Sequence, residues 1–223
     1  EPTNHATAFA VSGVVGSTTA TLTWTDAVAG AQAPENYVIV VNTTGTFTVA
    51  DGTPIDNDTD FSDDAGAINV AYGVQTATLN TLLPGKHYYA QIFPYTNSGA
   101  SINYKTDGTV PQVEILTPSI TVTSPNGGER FFAGDQITIT WNSANMDSET
   151  IKCEAYVRQG LTSTWDWLEL APALPNTGSF SFPIPADSKY GTQYKIRLTG
   201  NTSGATDESD AAFTIIATPT IYD

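Results

Sequence analysis

An all-β chain made of two consecutive β-sandwiches is what this sequence predicts, and three observations predict it. Thr, Val, Ile, Tyr and Phe recur in short alternating runs punctuated by Gly, Pro, Asn and Asp, and no long segment repeats its apolar residues at the helical period. The chain has 223 residues, more than the roughly 100–150 of a common domain and enough to bury two cores. One strand motif also occurs twice. In Thr19-Ala20-Thr21-Leu22-Thr23-Trp24-Thr25 the even positions are apolar, and in Gln136-Ile137-Thr138-Ile139-Thr140-Trp141-Asn142 the odd ones are. Alternation aims Trp24 and Trp141 inward, each at the centre of its own sandwich.

Along the first half, Tyr37 to Val41 reads as a further strand. Leu82-Leu83-Pro84-Gly85-Lys86-His87-Tyr88 then leads into a strand from Tyr88 to Phe93. Thr117-Pro118-Ser119 marks the boundary, because a proline between two strand-like runs ends one ladder before the next begins. The domains are therefore set at residues 1–117 and 118–223. So short a connector also predicts restricted interdomain motion.

The second half opens on Ile120 to Glu129, with Ser124-Pro125-Asn126-Gly127-Gly128 as its turn. It continues through the Trp141 strand and Asn176-Thr177-Gly178-Ser179-Phe180-Ser181-Phe182-Pro183 to Tyr194-Lys195-Ile196-Arg197-Leu198, and closes on Ala211-Ala212-Phe213-Thr214-Ile215. In Ile151-Lys152-Cys153-Glu154-Ala155-Tyr156-Val157-Arg158 the odd positions are small or apolar, which points the chain's one cysteine inward as a structural thiol.

The Leu82-x-Pro84-Gly85-x-x-Tyr88 pattern, downstream of a strand Trp, resembles the fibronectin type III domain over about residues 3–117. That resemblance implies that Tyr88 closes a corner by bonding back to the backbone. The departures from the family pattern are an acidic insert from Asp51 to Tyr72 and a long loop from Asn97 to Pro111. The motif order from Ile120 to Ile215 resembles the Ser-Thr-rich, yeast cell-wall-synthesis-related domain over about residues 119–216. Together the resemblances imply two tandem immunoglobulin-like β-sandwiches, of the kind carried by secreted multidomain proteins of Bacteroidetes. They imply a secreted or cell-surface setting and transfer no binding residue.

Composition excludes several function classes. Eight Lys and Arg stand against 23 Asp and Glu, a formal charge of −15, and such a surface repels a phosphate backbone, which excludes nucleic acid as a direct partner. No run of about 18 apolar residues is present, so membrane insertion is not expected. A single cysteine permits no intrachain disulfide. Glu1-Pro2-Thr3-Asn4 has neither the basic nor the apolar region of a signal peptide, which reads as a piece of a longer precursor.

Catalysis needs convergent titratable groups. His5 lies near the terminus, His87 lies in the Pro-Gly-Lys-His-Tyr turn, and no G-x-S-x-G elbow occurs. The chain is therefore expected not to be an enzyme.

Two site expectations remain. Asp56, Asp58, Asp60, Asp63 and Asp64 form a dense oxygen-ligand run that suits Ca²⁺ as a cofactor. It fails the EF-hand spacing, with Phe61 at the position of the invariant Gly and Ala67 at that of the Glu, and a solvated acidic loop is the alternative. Asp207-Glu208-Ser209-Asp210 reads as turn chemistry. For carbohydrate, an exposed aromatic platform is the usual device. Trp165 and Trp167 are two apart and share a face, while Tyr156 faces away from its strand's core side. In the cell-wall-related domains that this half resembles, a Trp near this position precedes the Asn-Thr-Gly-Ser turn, and the resemblance implies that Trp167 is structural. Trp165 is then the freer candidate, with Tyr156, and with Tyr104 of the long loop as a weaker one. The expected function is a non-catalytic extracellular accessory module, a spacer or adhesion unit whose partners are polysaccharide or a cell-surface glycan and the other domains of its precursor. The alternatives are a carbohydrate-binding module of a polysaccharide-degrading enzyme and a fragment of a secreted hydrolase.

Overall fold

The computed structural model describes residues 1–158 and 164–217 and is all-β. It divides into two compact units, Glu1–Thr117 and Pro118–Asp223.

The first unit contains β1 (Thr7–Ser12), β2 (Ala20–Thr25), β3 (Asn36–Asn42), β4 (Ala65–Ala71), β5 (Thr76–Leu79), β6 (His87–Thr96), β7 (Asn103–Tyr104) and β8 (Gln112–Leu116). One antiparallel sheet runs β1-β2-β5. The other runs β4-β3-β6, with β7 and β8 both pairing β6. Leu22 and Trp24 from β2 meet Tyr37, Ile39 and Val41 from β3 and Tyr88, Ala90 and Ile92 from β6 in one core, as sandwich packing requires. Trp24 packs edge-on against Tyr37, ring centroids 5.9 Å apart. The hydroxyl of Tyr88 accepts from the Leu83 amide at 2.9 Å and donates to the Phe61 carbonyl at 3.2 Å. This is the corner that the Leu-x-Pro-Gly-x-x-Tyr pattern implies.

The segment from Asp51 to Tyr72, expected to be an insert, is one only in its first part. Its end is β4, paired with β3 along its whole length from Asn36↔Ala71 to Asn42↔Ala65. Small residues hid it: Ala65-Gly66-Ala67 carries little of the bulk by which a strand is recognised. Gly66 is needed there, because a Cβ on it would fall 2.5 Å from the Phe61 ring and 2.7 Å from the Asp58 carbonyl oxygen.

A second cluster lies on the other face of the larger sheet. Val38, Ala67, Phe93, Ile102 and Tyr104 are buried, with Phe47, Val49, Ile55 and Val110 packed against them. The segment before β4 and the Asn97 to Pro111 loop thus act as a cover. The signal for it is in β3: Tyr37-Val38-Ile39-Val40-Val41 is a continuous apolar run, which marks a strand buried on both faces.

The second unit contains β9 (Ser119–Ser124), β10 (Arg130–Phe132), β11 (Gln136–Ala144), β12 (Thr150–Arg158), β13 (Trp165–Pro175), β14 (Ser179–Pro183), β15 (Gly191–Gly200), β16 (Thr206–Glu208) and β17 (Phe213–Ile216). The small sheet is β14-β11-β9. The large one is β10-β17-β15-β12-β13, with β16 also pairing β15 and β10 parallel to β17. Trp141, Ile139, Cys153, Tyr194, Ile196 and Phe213 share its core. The Trp141 indole N–H donates to Asn176 Oδ1 at 2.7 Å. Tyr194 donates its hydroxyl to the Lys189 carbonyl five residues upstream, a second tyrosine corner that sequence reading missed.

Cys153 is fully buried. Burial, and then the neighbouring Glu154 charge, push its thiol up to about 12. Since the thiolate is the reactive form, Cys153 is expected to resist maleimide in the native protein and to react once the chain is denatured. Rapid native labelling, read by mass spectrometry, would contradict this placement.

Candidate aromatic and polar face of the second unit

The candidate site is the outward face of β12, β13 and β15. Alternation in β12 sends Ile151, Cys153 and Ala155 to the core and leaves Lys152 and Tyr156 on the opposite side. Register then sets the neighbours: Tyr156 lies opposite Trp167 on β13 and Lys195 on β15, and Glu154 lies opposite Arg197. The result is a ladder of flat groups. Trp165 and Tyr156 stack at 5.8 Å and 24°, Tyr156 and Trp167 meet at 5.3 Å and 50°, and the Arg197 guanidinium carbon sits 4.0 Å over the Trp167 ring. Cross-strand aromatic pairs and cation–π contacts of this kind are each worth about 0.5–1.5 kcal/mol.

The charged half of the face adjoins the ladder at Arg197. Arg197 Nε donates to Glu154 Oε2 at 2.8 Å, Lys152 Nζ lies 3.2 Å from the same oxygen, and Arg197 Nη1 lies 3.7 Å from Glu208 Oε1. The hydrogen bond from Arg197, reinforced by Lys152, holds the Glu154 carboxyl below its ordinary range although burial opposes it. An unfolded glutamate titrates near pH 4.3. A depressed folded value therefore gives the second unit stability that is fully present above that pH and is lost as pH falls through the folded value. Glu154→Gln is expected to flatten the acid limb of stability against pH measured by urea unfolding. An unchanged acid limb would refute that role. A hollow of about 520 Å³ opens here, lined by Lys152, Glu154, Arg197, Thr199, Thr206 and Glu208 among others.

Trp165 and Tyr156, paired by the sequence, are thus together, but the relative freedom of the two tryptophans differs from expectation. Trp165 also packs edge-on against Tyr194 at 4.9 Å, and its ring lies within 3.0 Å of where a Cβ on Gly191 would be. It is tied to the core, while Trp167 carries Arg197 on its ring; both are half-buried. Tyr104 requires correction as a platform residue. It is 0 % exposed, and its hydroxyl accepts from the Ile55 amide at 3.1 Å and donates to the Thr53 carbonyl at 3.3 Å. The cover over β3 and β6 uses it as a core residue.

Of the five aspartates singled out between Asp56 and Asp64, three serve their own turns. Asp58 Oδ1 accepts from the Asp60 amide, Asp60 Oδ1 from the Ser62 amide and hydroxyl, and Asp63 Oδ1 from the Ala65 amide. Asp64 pairs with Lys86 at 3.1 Å, and Asp56 is exposed. Among the described residues no three His, Cys, Asp or Glu side chains gather closely enough to hold a metal ion.

His5 meets the Asp107 carbonyl at 2.7 Å, and His87 stacks on Tyr89 and faces Glu114 at 3.2 Å. An apolar cleft of about 440 Å³ opens in the second unit, lined by Leu168, Leu170, Phe182, Ile184, Tyr194 and Phe213 among others. No helix is long and apolar enough to cross a membrane among the described residues.

Residues 124–215 match the family model of the Kre9/KNH-like N-terminal Ig-like domain. The match covers most of the second unit and, with it, the whole aromatic and polar face. No curated protein matches the chain. Solved structures of fibronectin type III arrays resemble it at low identity. The FN1–FN3 domains of chicken CNTN1 show 14 % identity and a TM-score of 0.41, over 97 % of this chain and 68 % of theirs. A two-domain segment from chicken tenascin shows 11 % and 0.38, over 92 % and 95 %. The central array of RIM-binding protein shows 11 % and 0.34, over 98 % and 71 %. All three scores are low, and the assignment of two β-sandwiches rests on the chain's own sheets and cores.

Proposed function

We propose that this chain is a non-catalytic, extracellular accessory module of a larger secreted protein, and that it adheres to polysaccharide through the outward face of β12, β13 and β15. The observation that carries the reading is the ladder Trp165-Tyr156-Trp167-Arg197 beside a polar hollow. Flat apolar rings next to charge-assisted hydrogen-bonding groups are the pairing that a sugar, apolar on its ring faces and polar at its rim, requires. The matched family, related to the yeast cell wall, supports a setting outside the cell. The acidic composition supports solubility there.

The test is retention of the purified protein on a panel of insoluble polysaccharides. At least one polysaccharide is expected to retain the protein, and Tyr156→Ala and Trp167→Ala are each expected to weaken retention severalfold, since hot spots of this type are aromatic. Passage through every matrix, or equal retention of both variants, would overturn the reading.

A further inference from the structure

We infer that the occupant of this face is an uncharged polysaccharide, its ring faces against the ladder and its hydroxyls in the hollow beside Arg197; this rests on the polysaccharide reading above.

Around the hollow, Lys152, Glu154, Arg197 and Glu208 are already matched against one another. Glu154 holds both Lys152 and Arg197, and Arg197 reaches Glu208. A carboxylate or sulfate on a ligand would have to displace one of those glutamates from Arg197 or lie beside it, and like charges at such distances repel. It would also approach a chain of formal charge −15. From residue 118 onward there are six Lys and Arg against twelve Asp and Glu, so the unit bearing the face is itself acidic.

A sugar hydroxyl has neither difficulty. It donates and accepts at once, so it can accept from the guanidinium N–H groups that Arg197 does not spend on Glu154. It can also donate to Glu208, whose side chain is 44 % exposed, without breaking an existing pair. Thr199 and Thr206 also line the hollow, their hydroxyl oxygens 3.1 Å apart and that of Thr206 donating to the Leu198 carbonyl at 2.9 Å, so both oxygens offer lone pairs to a sugar hydroxyl. The hollow's volume falls within the roughly 300–1,000 Å³ of small-ligand sites, and Arg197 joins it directly to the aromatic rings. A chain of neutral sugars laid across β12 and β13 would therefore meet rings first and hydrogen-bonding groups next. Lys195, opposite Tyr156 and without an ion pair among the described residues, is a cation of the same face that would favour an acidic ligand.

The experiment is affinity electrophoresis of the whole chain in gels containing soluble neutral glucan, mannan or xylan, or acidic alginate or polygalacturonate, at low and high salt. Retardation by a neutral polysaccharide, little changed by salt, is expected. Glu208→Gln should weaken it roughly tenfold through loss of a charge-assisted hydrogen bond. Because Glu208 is at the surface, an unaltered melting temperature would show that the Gln variant is folded. Salt-sensitive retardation by acidic polysaccharides alone, lost in Lys195→Ala, would overturn this inference and leave the adhesion reading standing. Neutral binding indifferent to Glu208→Gln would remove the hollow from the site and overturn it too. Retardation by neither class would sink both.

Discussion

Replacing Phe61 by Ala is expected to cost the first unit about 3–5 kcal/mol and to lower its melting temperature by roughly 10–20 °C. Phe61 sits inside the most acidic stretch of the chain, between Asp60 and Ser62, where a side chain in a solvated loop would cost almost nothing to truncate. Instead it is 0 % exposed and belongs to the same core as Leu22, Tyr37 and Tyr88. Its backbone is held as well: the amide donates to Thr81 Oγ1 at 2.9 Å, and the carbonyl accepts from Tyr88. Truncation would leave a cavity against Gly66, whose lack of a Cβ exists to admit the ring. Calorimetry on the whole chain reads the loss, and hydrogen exchange assigns it to residues 1–117. A change below about 1 kcal/mol would mean that the segment is the surface loop its composition suggests.

Trp141→Ala is expected to cost the second unit a similar amount, about 3–5 kcal/mol, whereas Trp167→Ala is expected to cost about 1–2 kcal/mol. Trp141 is buried in the middle of β11, and its N–H satisfies Asn176, whose own amide donates to the Met146 carbonyl at 3.0 Å. Losing the ring leaves both a void and an Asn176 Oδ1 that keeps only the longer bond from the Ser143 hydroxyl, at 3.2 Å. Trp167 loses only the contacts of a half-buried ladder, Tyr156 on one side and the Arg197 guanidinium on the other. The contrast is measured by urea unfolding of the two variants. It also bears on the adhesion test, because loss of binding in Trp167→Ala is interpretable only in a protein that remains folded. Equal costs at the two positions would place Trp167 in the core and remove it from the candidate face.

The alternation around Trp24 and Trp141 was sufficient on its own to give the fold class and the inward direction of both rings, since a period of two leaves each side chain one possible face. The same rule placed Cys153 inside and Tyr156 outside, and the Leu-x-Pro-Gly-x-x-Tyr spacing placed the Tyr88 corner. Local rules reach no further than a strand and its turn. That Ala65–Ala71 is a strand, that Phe61 fills a core and that Tyr104 is buried all depend on what lies over β3 and β6, a partnership across tens of residues that leaves only the unbroken apolar run of β3 as its trace. The candidate face was half legible for the same reason. Spacing put Trp165 and Trp167 on one side of a strand, but only the pairing of β13 to β12 and of β12 to β15 brought Tyr156, Glu154 and Arg197 beside them. Register between strands distant in sequence, a tertiary quantity set by how two cores close, decided which side chains share a surface.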